Sequence, residues 1–485
     1  MKVILLSGGS GKRLWPLSSD ARSKQFLKVL KNEKNERESM VQRVWNQLKR
    51  VNLAESAFLA TSQSQVELIQ TQLGNKIPLI IEPERRDTFP AIVLASVYLY
   101  SQVKVDVHEV ICILPVDPFV EDTFFRKVIQ LENMIHQEKA DIALIGVKPT
   151  YPSEKYGYIV PDPNAGTDCA HTYKTVIQFI EKPKEDQANH LIEQGALWNC
   201  GVFAFTLDYM ISLLKKKGYS TEYYDLVKQY SQLPAISFDY EVVEKAARRL
   251  VLPYDGKWKD LGTWNTLTEE MDTFLLGKGI ISNDSKNTHV MNELDIPVIV
   301  TGVSNLVVAA CPDGILVTDK AASSKVKELI NDIKQRPMYE ERRWGWYRVL
   351  DYTKLEDGNE VLTKKVVIKA GKNLSYQMHK KRSEVWTVIS GEGVFVLEGA
   401  FRQIQSGDVL HIPVGSKHGI KAISDLEMIE IQMGSELIEE DIIRLCMTWE
   451  EVEKQQHAPF TLDHETLKDP PSMEFIETKN QKSCR

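Results

Sequence analysis

Short apolar runs alternate with longer amphipathic stretches over the first 275 residues. Val3-Ile4-Leu5-Leu6, Ala57-Phe58-Leu59-Ala60, Leu79-Ile80-Ile81 and Val110-Ile111-Cys112-Ile113-Leu114 have the length of buried strands, while residues 67–73 and those after Pro90 have the length and spacing of helices. This rhythm predicts an α/β domain, Rossmann-like, with a largely parallel sheet whose strand ends collect ligands. From 276 to 335 the runs shorten to Ile296-Pro297-Val298-Ile299-Val300, Leu306-Val307-Val308-Ala309-Ala310 and Gly314-Ile315-Leu316-Val317, bounded by Asn, Asp and Gly. Short β-rungs are expected there, followed by a charged connector helix over about 323–334. Residues 336–445 read as all-β, with runs such as Val366-Val367-Ile368 separated by glycine turns. The tail, 446–485, alternates charge and polarity and is expected to be weakly ordered.

Composition narrows the class. A chain of 485 residues is too long for one core, and 43% hydrophobic with 26% charged residues is globular usage. A formal charge of −7 gives no basic field for nucleic acid, so free nucleotides are better candidates than polymers. With no signal peptide and no apolar run of about 18 residues, a cytoplasmic protein without membrane contact is expected. Cys112, Cys169, Cys200, Cys311, Cys446 and Cys484 lack paired spacing and read as free thiols.

The first strand runs straight into Gly8-Gly9-Ser10-Gly11-Lys12-Arg13-Leu14, a turn whose backbone N–H groups can converge on an anion. A P-loop would need a glycine at Leu6 and Ser or Thr at Arg13; a dinucleotide fingerprint would need a third glycine at Leu14. Neither spacing is met. What remains is a glycine turn with two cations, Arg13 and Lys24, suited to a polyphosphate. Alone, it is equally an ordinary strand-to-helix connection.

The longer string 6–18, followed by Lys24-Gln25-Phe26-Leu27, resembles the signature of sugar-1-phosphate nucleotidyltransferases, and Trp15 with Lys-Gln-Phe-Leu most resembles the mannose-1-phosphate guanylyltransferases. Lys12 and Ser23 stand where that family usually has Thr and Pro. The resemblance implies a GT-A-like nucleotidyltransferase fold, a brief left-handed β-helix, GTP and a sugar 1-phosphate as partners, and Mg²⁺ as cofactor. It assigns catalysis to Arg13, Lys24, Asp117 and Asp260, with the two aspartates on the metal. The glycine turn, with Gly8, Gly9, Ser10, Gly11 and Lys12, would bind the nucleotide together with Glu82, Thr88 and Pro90. Glu82 is the candidate reader of the guanine N1–H and amine. Phe179-Ile180-Glu181-Lys182-Pro183 matches the family's sugar motif, so Gly157, Glu181, Lys182 and Asn199 are the sugar-binding candidates. Phe238-Asp239-Tyr240-Glu241 also fits the family, and serves equally as capping and packing.

In the third domain, spacing is informative by itself. Gly371, Gln377, His379, Glu384 and Gly391 match a first cupin motif with Gln in place of its first His; Gly407, Pro413, Gly415 and His418 match the second. Gln377, His379, Glu384 and His418 could hold a divalent metal, Zn²⁺ first and Mn²⁺ or Fe²⁺ otherwise. The segment resembles the type II phosphomannose isomerase domain, with Arg382 available for a phosphate. Lys380, Lys381, Val385 and Ala422 depart from that pattern. A barrel kept for stability or dimerisation stands beside an active isomerase.

The expected activity is transfer of GMP from GTP to α-mannose 1-phosphate, by a homo-oligomer. Another nucleoside triphosphate or sugar 1-phosphate is the rival within the class. A non-catalytic sugar-nucleotide sensor is the rival outside it.

Overall fold

The computed structural model describes residues 1–9, 12–19, 22–163, 173–333 and 335–455. Ser10, Gly11, Cys169 and Cys484 therefore lie outside the described residues. The chain divides into two compact units, Met1–Leu350 and Asp351–Arg485.

Unit 1 is built on a nine-stranded sheet. Lys2–Leu6 is flanked in parallel register by Ala57–Ser62 and Val110–Pro115, and Leu79–Glu82 continues the parallel edge. On the other side the sheet is mixed. Leu197–Thr206 runs antiparallel between Val110–Pro115 and Ile142–Val147; Arg249–Tyr254 pairs parallel with the latter, and Lys174–Ile180 and Tyr158–Pro161 follow antiparallel. The expected largely parallel sheet thus holds for only part of it. Apolar runs record that a strand is buried on both faces, not which way its neighbour runs.

Alternation within each run serves two cores. Val3, Leu5, Cys112 and Leu114 face one side with helices Met40–Arg50 and Asp122–Glu138. Ile4, Ile111 and Ile113 face the other with helices Thr88–Ser101 and Leu207–Lys217. Met40–Arg50 starts with a capping box of Ser39 and Gln42 and buries Met40, Val41, Val44, Trp45 and Leu48 as one stripe. Thr88–Ser101 is apolar all round and accordingly buried along nearly its whole length.

After the sheet, Leu275–Leu276, His289–Asn292 and Leu306–Cys311 pair in parallel as short rungs, with Gly279–Ile281 and Val298–Val300 forming a second parallel pair. These rungs share a core with the signature segment: Met291, Val307, Ala309 and Cys311 cluster with Leu14, Leu17, Leu27, Leu261 and Trp264. The expected connector helix is shorter than its charged run, comprising a 3₁₀ turn Ala321–Lys325 and one α-helical turn Val326–Leu329.

In unit 2, Glu360–Ile368, Leu426–Gly434, Arg382–Ser390 and Val409–Ile412 are neighbours in one antiparallel sheet, and a second is ordered Ala400–Gln405, Glu392–Leu397, His418–Ala422, Tyr376–His379, Ile442–Cys446. The expectation of weak order from 446 fails at its start. Helix Trp449–Gln455 buries Trp449 and Val452 against Tyr376, Val396 and Cys446. Two apolar side chains in an otherwise charged segment suffice to seat it. Among the described residues no helix is long and apolar enough to cross a membrane. Cys112, Cys200, Cys311 and Cys446 are free and buried.

Candidate active site

Asp117 and Asp260 are far apart in sequence and adjacent in space because a short antiparallel ribbon joins their strands. Pro118–Val120 pairs with Trp258–Asp260, and the register sets Asp260 opposite Pro118. Lys24 Nζ lies between the carboxylates, 2.7 Å from Asp117 Oδ2 and 3.3 Å from Asp260 Oδ1. Burial opposes the ammonium's charge, but the two carboxylates outweigh it and hold Lys24 above the ordinary lysine range. Arg13 is exposed in the 3₁₀ turn Lys12–Leu14, close enough for its charge to act on Lys24 and Tyr156. Gly262 is held close to Asp260: a Cβ there would lie 2.9 Å from Oδ2.

The glycine turn is fastened from beneath by a polar network that the sequence did not reveal. Ser23 Oγ donates to Gly9 O at 3.0 Å, Gln65 Nε2 donates to Ser23 Oγ at 2.8 Å, and Gln25 Nε2 donates to Ser7 O at 2.9 Å. Thr61 Oγ1 donates to Gln65 Oε1 at 3.0 Å. Gln65 is fully buried, and a glutamine in a polar run carries no signal of that. Glu82 ends its strand against the turn: a Cβ on Gly8 would lie 2.8 Å from Glu82 Oε1. Its Oε2 accepts from Tyr230 Oη at 3.0 Å, and burial raises the carboxyl above the usual range. Thr88 opens the following helix, its Oγ1 accepting from Phe238 N at 2.8 Å, and Pro90 is buried in the first turn. Lys12 is half-buried.

The sugar-motif residues also converge. Gly157 backs onto Glu181 and Asn199: a Cβ there would meet Glu181 Oε2 at 2.5 Å and Asn199 Cβ at 3.3 Å. Lys182 Nζ pairs with Glu181 Oε1 at 2.6 Å, while Glu181 Oε2 is buried without a hydrogen-bond partner among the described residues. A register shift between Asn199 and Phe203, with Gly201 at φ 74°, bends the strand there. Both ends of the Asn199 amide are engaged: Nδ2 donates to Asp239 Oδ1 at 2.7 Å, and Oδ1 accepts from Gly201 N at 3.1 Å. Tyr156, Trp198 and Trp258 form an adjoining aromatic wall, the Tyr156 ring centre lying 4.9 Å from that of Trp198 and 5.5 Å from that of Trp258.

Unit 2 brings three of its four expected ligands together. Donor atoms of His379, Glu384 and His418, all buried, lie within 4.8 Å of one another. Each histidine has Nδ1 beside a backbone carbonyl, Asp441 O at 3.4 Å and Ser416 O at 3.0 Å, which leaves Nε2 facing Glu384. Gln377 stands beside them, its Nε2 3.3 Å from His379 Nε2. Arg382 differs from expectation. It is buried, with Nε on Glu384 Oε1 at 2.9 Å and Nη1 on Ile438 O at 3.0 Å, so it is committed to the cluster rather than available for a phosphate. Trp386 Nε1 and Gln432 Nε2 also donate to Glu384. Burial disfavours the Glu384 charge, but His418, His379 and Arg382 prevail and lower its pKa.

Residues 2–275 match the nucleotidyl transferase family, and residues 332–446 match the mannose-6-phosphate isomerase C-terminal domain. The chain is 30% identical to a mannose-1-phosphate guanylyltransferase of Salmonella muenchen, over 91% of this chain and 97% of that one. It is also 30% identical to xanthan biosynthesis protein XanB of Xanthomonas campestris, over 92% and 98% of the two chains. A crystal structure described as mannose-1-phosphate geranyltransferase from Thermus thermophilus matches 68% of this chain and 98% of its own at 28% identity, with a TM-score of 0.56. The chain belongs to the nucleotidyl transferases, in the group of two-part mannose-1-phosphate guanylyltransferases that end in a mannose-6-phosphate isomerase-type domain.

Proposed function

We propose that unit 1 joins GTP to α-mannose 1-phosphate, releasing pyrophosphate and GDP-mannose. The observation that carries this reading is Lys24 held between Asp117 and Asp260 beside the glycine turn. Two carboxylates that already share one cation, through hard oxygen donors, fit Mg²⁺, and Asp117 and Asp260 would hold it. When bound, the ion neutralises phosphate charge. The sugar phosphate oxygen attacks the α-phosphorus as pyrophosphate leaves, so the protein's part is to position and to neutralise. Arg13 and Lys24 brace the triphosphate, with the backbone of the turn and Lys12 beside them. Glu82 accepts from the guanine edge, and Thr88 and Pro90 set the helix that supports it. Lys182 meets the sugar phosphate, while Gly157 makes room for the Glu181 carboxylate, which with Asn199 faces the hydroxyls.

A second reading concerns unit 2. The two sheets would close as a cupin barrel, and the rungs of unit 1 would wind left-handed. His379, Glu384, His418 and Gln377 would hold Zn²⁺ or another divalent ion, whose chemistry is to polarise the carbonyl of a ketose phosphate. The buried convergence of donors favours interconversion of fructose 6-phosphate and mannose 6-phosphate.

The test is a turnover panel of GTP, ATP, CTP and UTP against several sugar 1-phosphates with Mg²⁺. Pyrophosphate release is expected with GTP and mannose 1-phosphate, and is expected to vanish in Asp260→Asn. No release with that pair would overturn the reading.

A further inference from the structure

Asp239 opens a π-helical turn, Asp239–Val243, a distortion that recurs at functional sites. The carboxylate points to the sugar motif from the far side. Its Oδ1 takes the Asn199 Nδ2–H at 2.7 Å, and it feels the charge of Glu181, whose Oε2 is buried and has no hydrogen-bond partner among the described residues. Two acidic side chains therefore share one partly buried place, and one bears an unsatisfied acceptor.

The groups around Asp239 account for most of its surroundings. Lys182 Nζ, from the loop after strand Lys174–Ile180, is bound to Glu181 Oε1 at 2.6 Å. Asn199, from strand Leu197–Thr206, is its neutral partner. On the turn itself, Tyr240 Oη donates to Glu181 O at 3.3 Å, and Glu244 Oε1 accepts from Glu181 N at 3.0 Å. Lys182 thus faces Glu181 and Asp239, while Arg249, from strand Arg249–Tyr254, lies against Glu244 with Nη1 3.2 Å from its carbonyl oxygen. Burial and the Glu181 charge together push the Asp239 carboxyl up to about 7.

Carboxylate oxygens only accept, so an unpaired buried one awaits a donor. We propose that Asp239 is a specificity-determining residue for the sugar phosphate: with Glu181 it forms a two-carboxylate site that accepts from neighbouring hydroxyls of the sugar. The proposal rests on the guanylyltransferase reading. It adds that Asp239 fixes the amide of Asn199, and with it the acceptors the hydroxyls meet.

Steady-state kinetics of Asp239→Asn test this, with mannose 1-phosphate and its monodeoxy analogues between pH 6 and 8. In the wild type, KM for the sugar phosphate should fall as pH rises through about 7; the phosphate's own titration, common to both proteins, is removed by comparison with the variant. Asp239→Asn should raise KM for mannose 1-phosphate about 10- to 100-fold, leave KM for GTP unchanged, flatten that pH step and shrink discrimination against one deoxy analogue. An unchanged sugar KM and pH step overturn the proposal, as does an equal rise in both KM values, which marks a structural role. If Asp239→Asn does not fold, Asp239→Glu keeps the charge one methylene further out and should raise only the sugar KM; no selective rise overturns the proposal. A wild type inactive with mannose 1-phosphate would instead defeat the underlying reading, so the two failures are distinguishable.

Discussion

Arg22 grips Glu293 through both guanidinium nitrogens, Nη1 to Oε2 at 2.8 Å and Nη2 to Oε1 at 3.0 Å, across 271 positions of sequence. The pair ties the segment two residues before Lys24 to the parallel rungs, and Arg22 also lies 5.6 Å from the Tyr339 ring centre. The rungs thereby help to fix where Lys24 stands. A bidentate pair with a largely buried arginine exceeds a surface ion pair in value, about 1–3 kcal/mol. Arg22→Ala should lower kcat with GTP and mannose 1-phosphate about tenfold while lowering the melting temperature by a few degrees. The exchange Arg22→Glu with Glu293→Arg should recover part of both, as measured by pyrophosphate release and thermal unfolding. Wild-type kcat in Arg22→Ala would show that the rungs do not influence Lys24.

Glu82 gives a prediction about base choice. It is buried against Gly8, and its free acceptor capacity is limited by the bond from Tyr230. Glu82→Gln replaces one acceptor by a donor with almost no change of shape. GTP should lose at least tenfold in kcat/KM relative to ATP, because a buried amide donor would then oppose the guanine N1–H. Tyr230→Phe should leave the ratio intact, separating base reading from support of the strand. Equal losses for both nucleotides in Glu82→Gln would remove Glu82 from base recognition.

The residues themselves show how much could be read in advance. Lys24 stands near a glycine turn with a recognisable form, and Asp117 and Asp260 enter through the family resemblance; the structure brings all three residues together. Gln65 was not legible: its role arises from Ser7, Gly9, Ser23, Gln25 and Thr61, contributed by separate segments, and no local pattern marks a polar residue that will be enclosed. The antiparallel strand 197–206 escaped for a related reason, since pairing direction is a property of neighbours. Arg382 shows the reverse error. It was expected to be available for a phosphate, but a guanidinium beside a buried carboxylate binds that carboxylate first.

His289 supplies the pH dependence. It is buried in a rung, its ring centre 4.7 Å from that of Phe274, and its Nδ1 has no hydrogen-bond partner among the described residues. Burial, reinforced by the Lys320 charge, lowers its pKa to about 4. The unfolded imidazole takes up its proton near 6.5, so the unfolded state binds more protons between those values. Stability from the neutral ring is fully present above pH 6.5 and should be lost as pH falls through 6.5 toward 4. His289→Asn should flatten that part of the stability profile in denaturant titrations at stepped pH, whatever its offset at pH 7. A wild-type slope unchanged by the substitution would assign the acid sensitivity to other groups.

For unit 2 the expected outcome is metal content rather than rate. His379 and His418 present Nε2 toward Glu384 while backbone carbonyls stand at Nδ1, an orientation that gathers both Nε2 atoms and the carboxylate on one side. Arg382 holds the same carboxylate, at 2.9 Å, and would compete with a bound ion for it. Elemental analysis of the purified protein should find about one zinc or other divalent ion per chain, with His379→Ala and His418→Ala each losing it. Neither change should alter guanylyl transfer, since the candidate site for that reaction is built from residues of unit 1. Arg382→Met should keep or tighten the metal, because it removes a cation without removing a ligand, whereas loss of metal in that variant would mean the guanidinium organises the site. Retention of the wild-type metal content in both histidine variants would exclude the cluster as a metal centre and leave the buried ion pairs as its whole purpose.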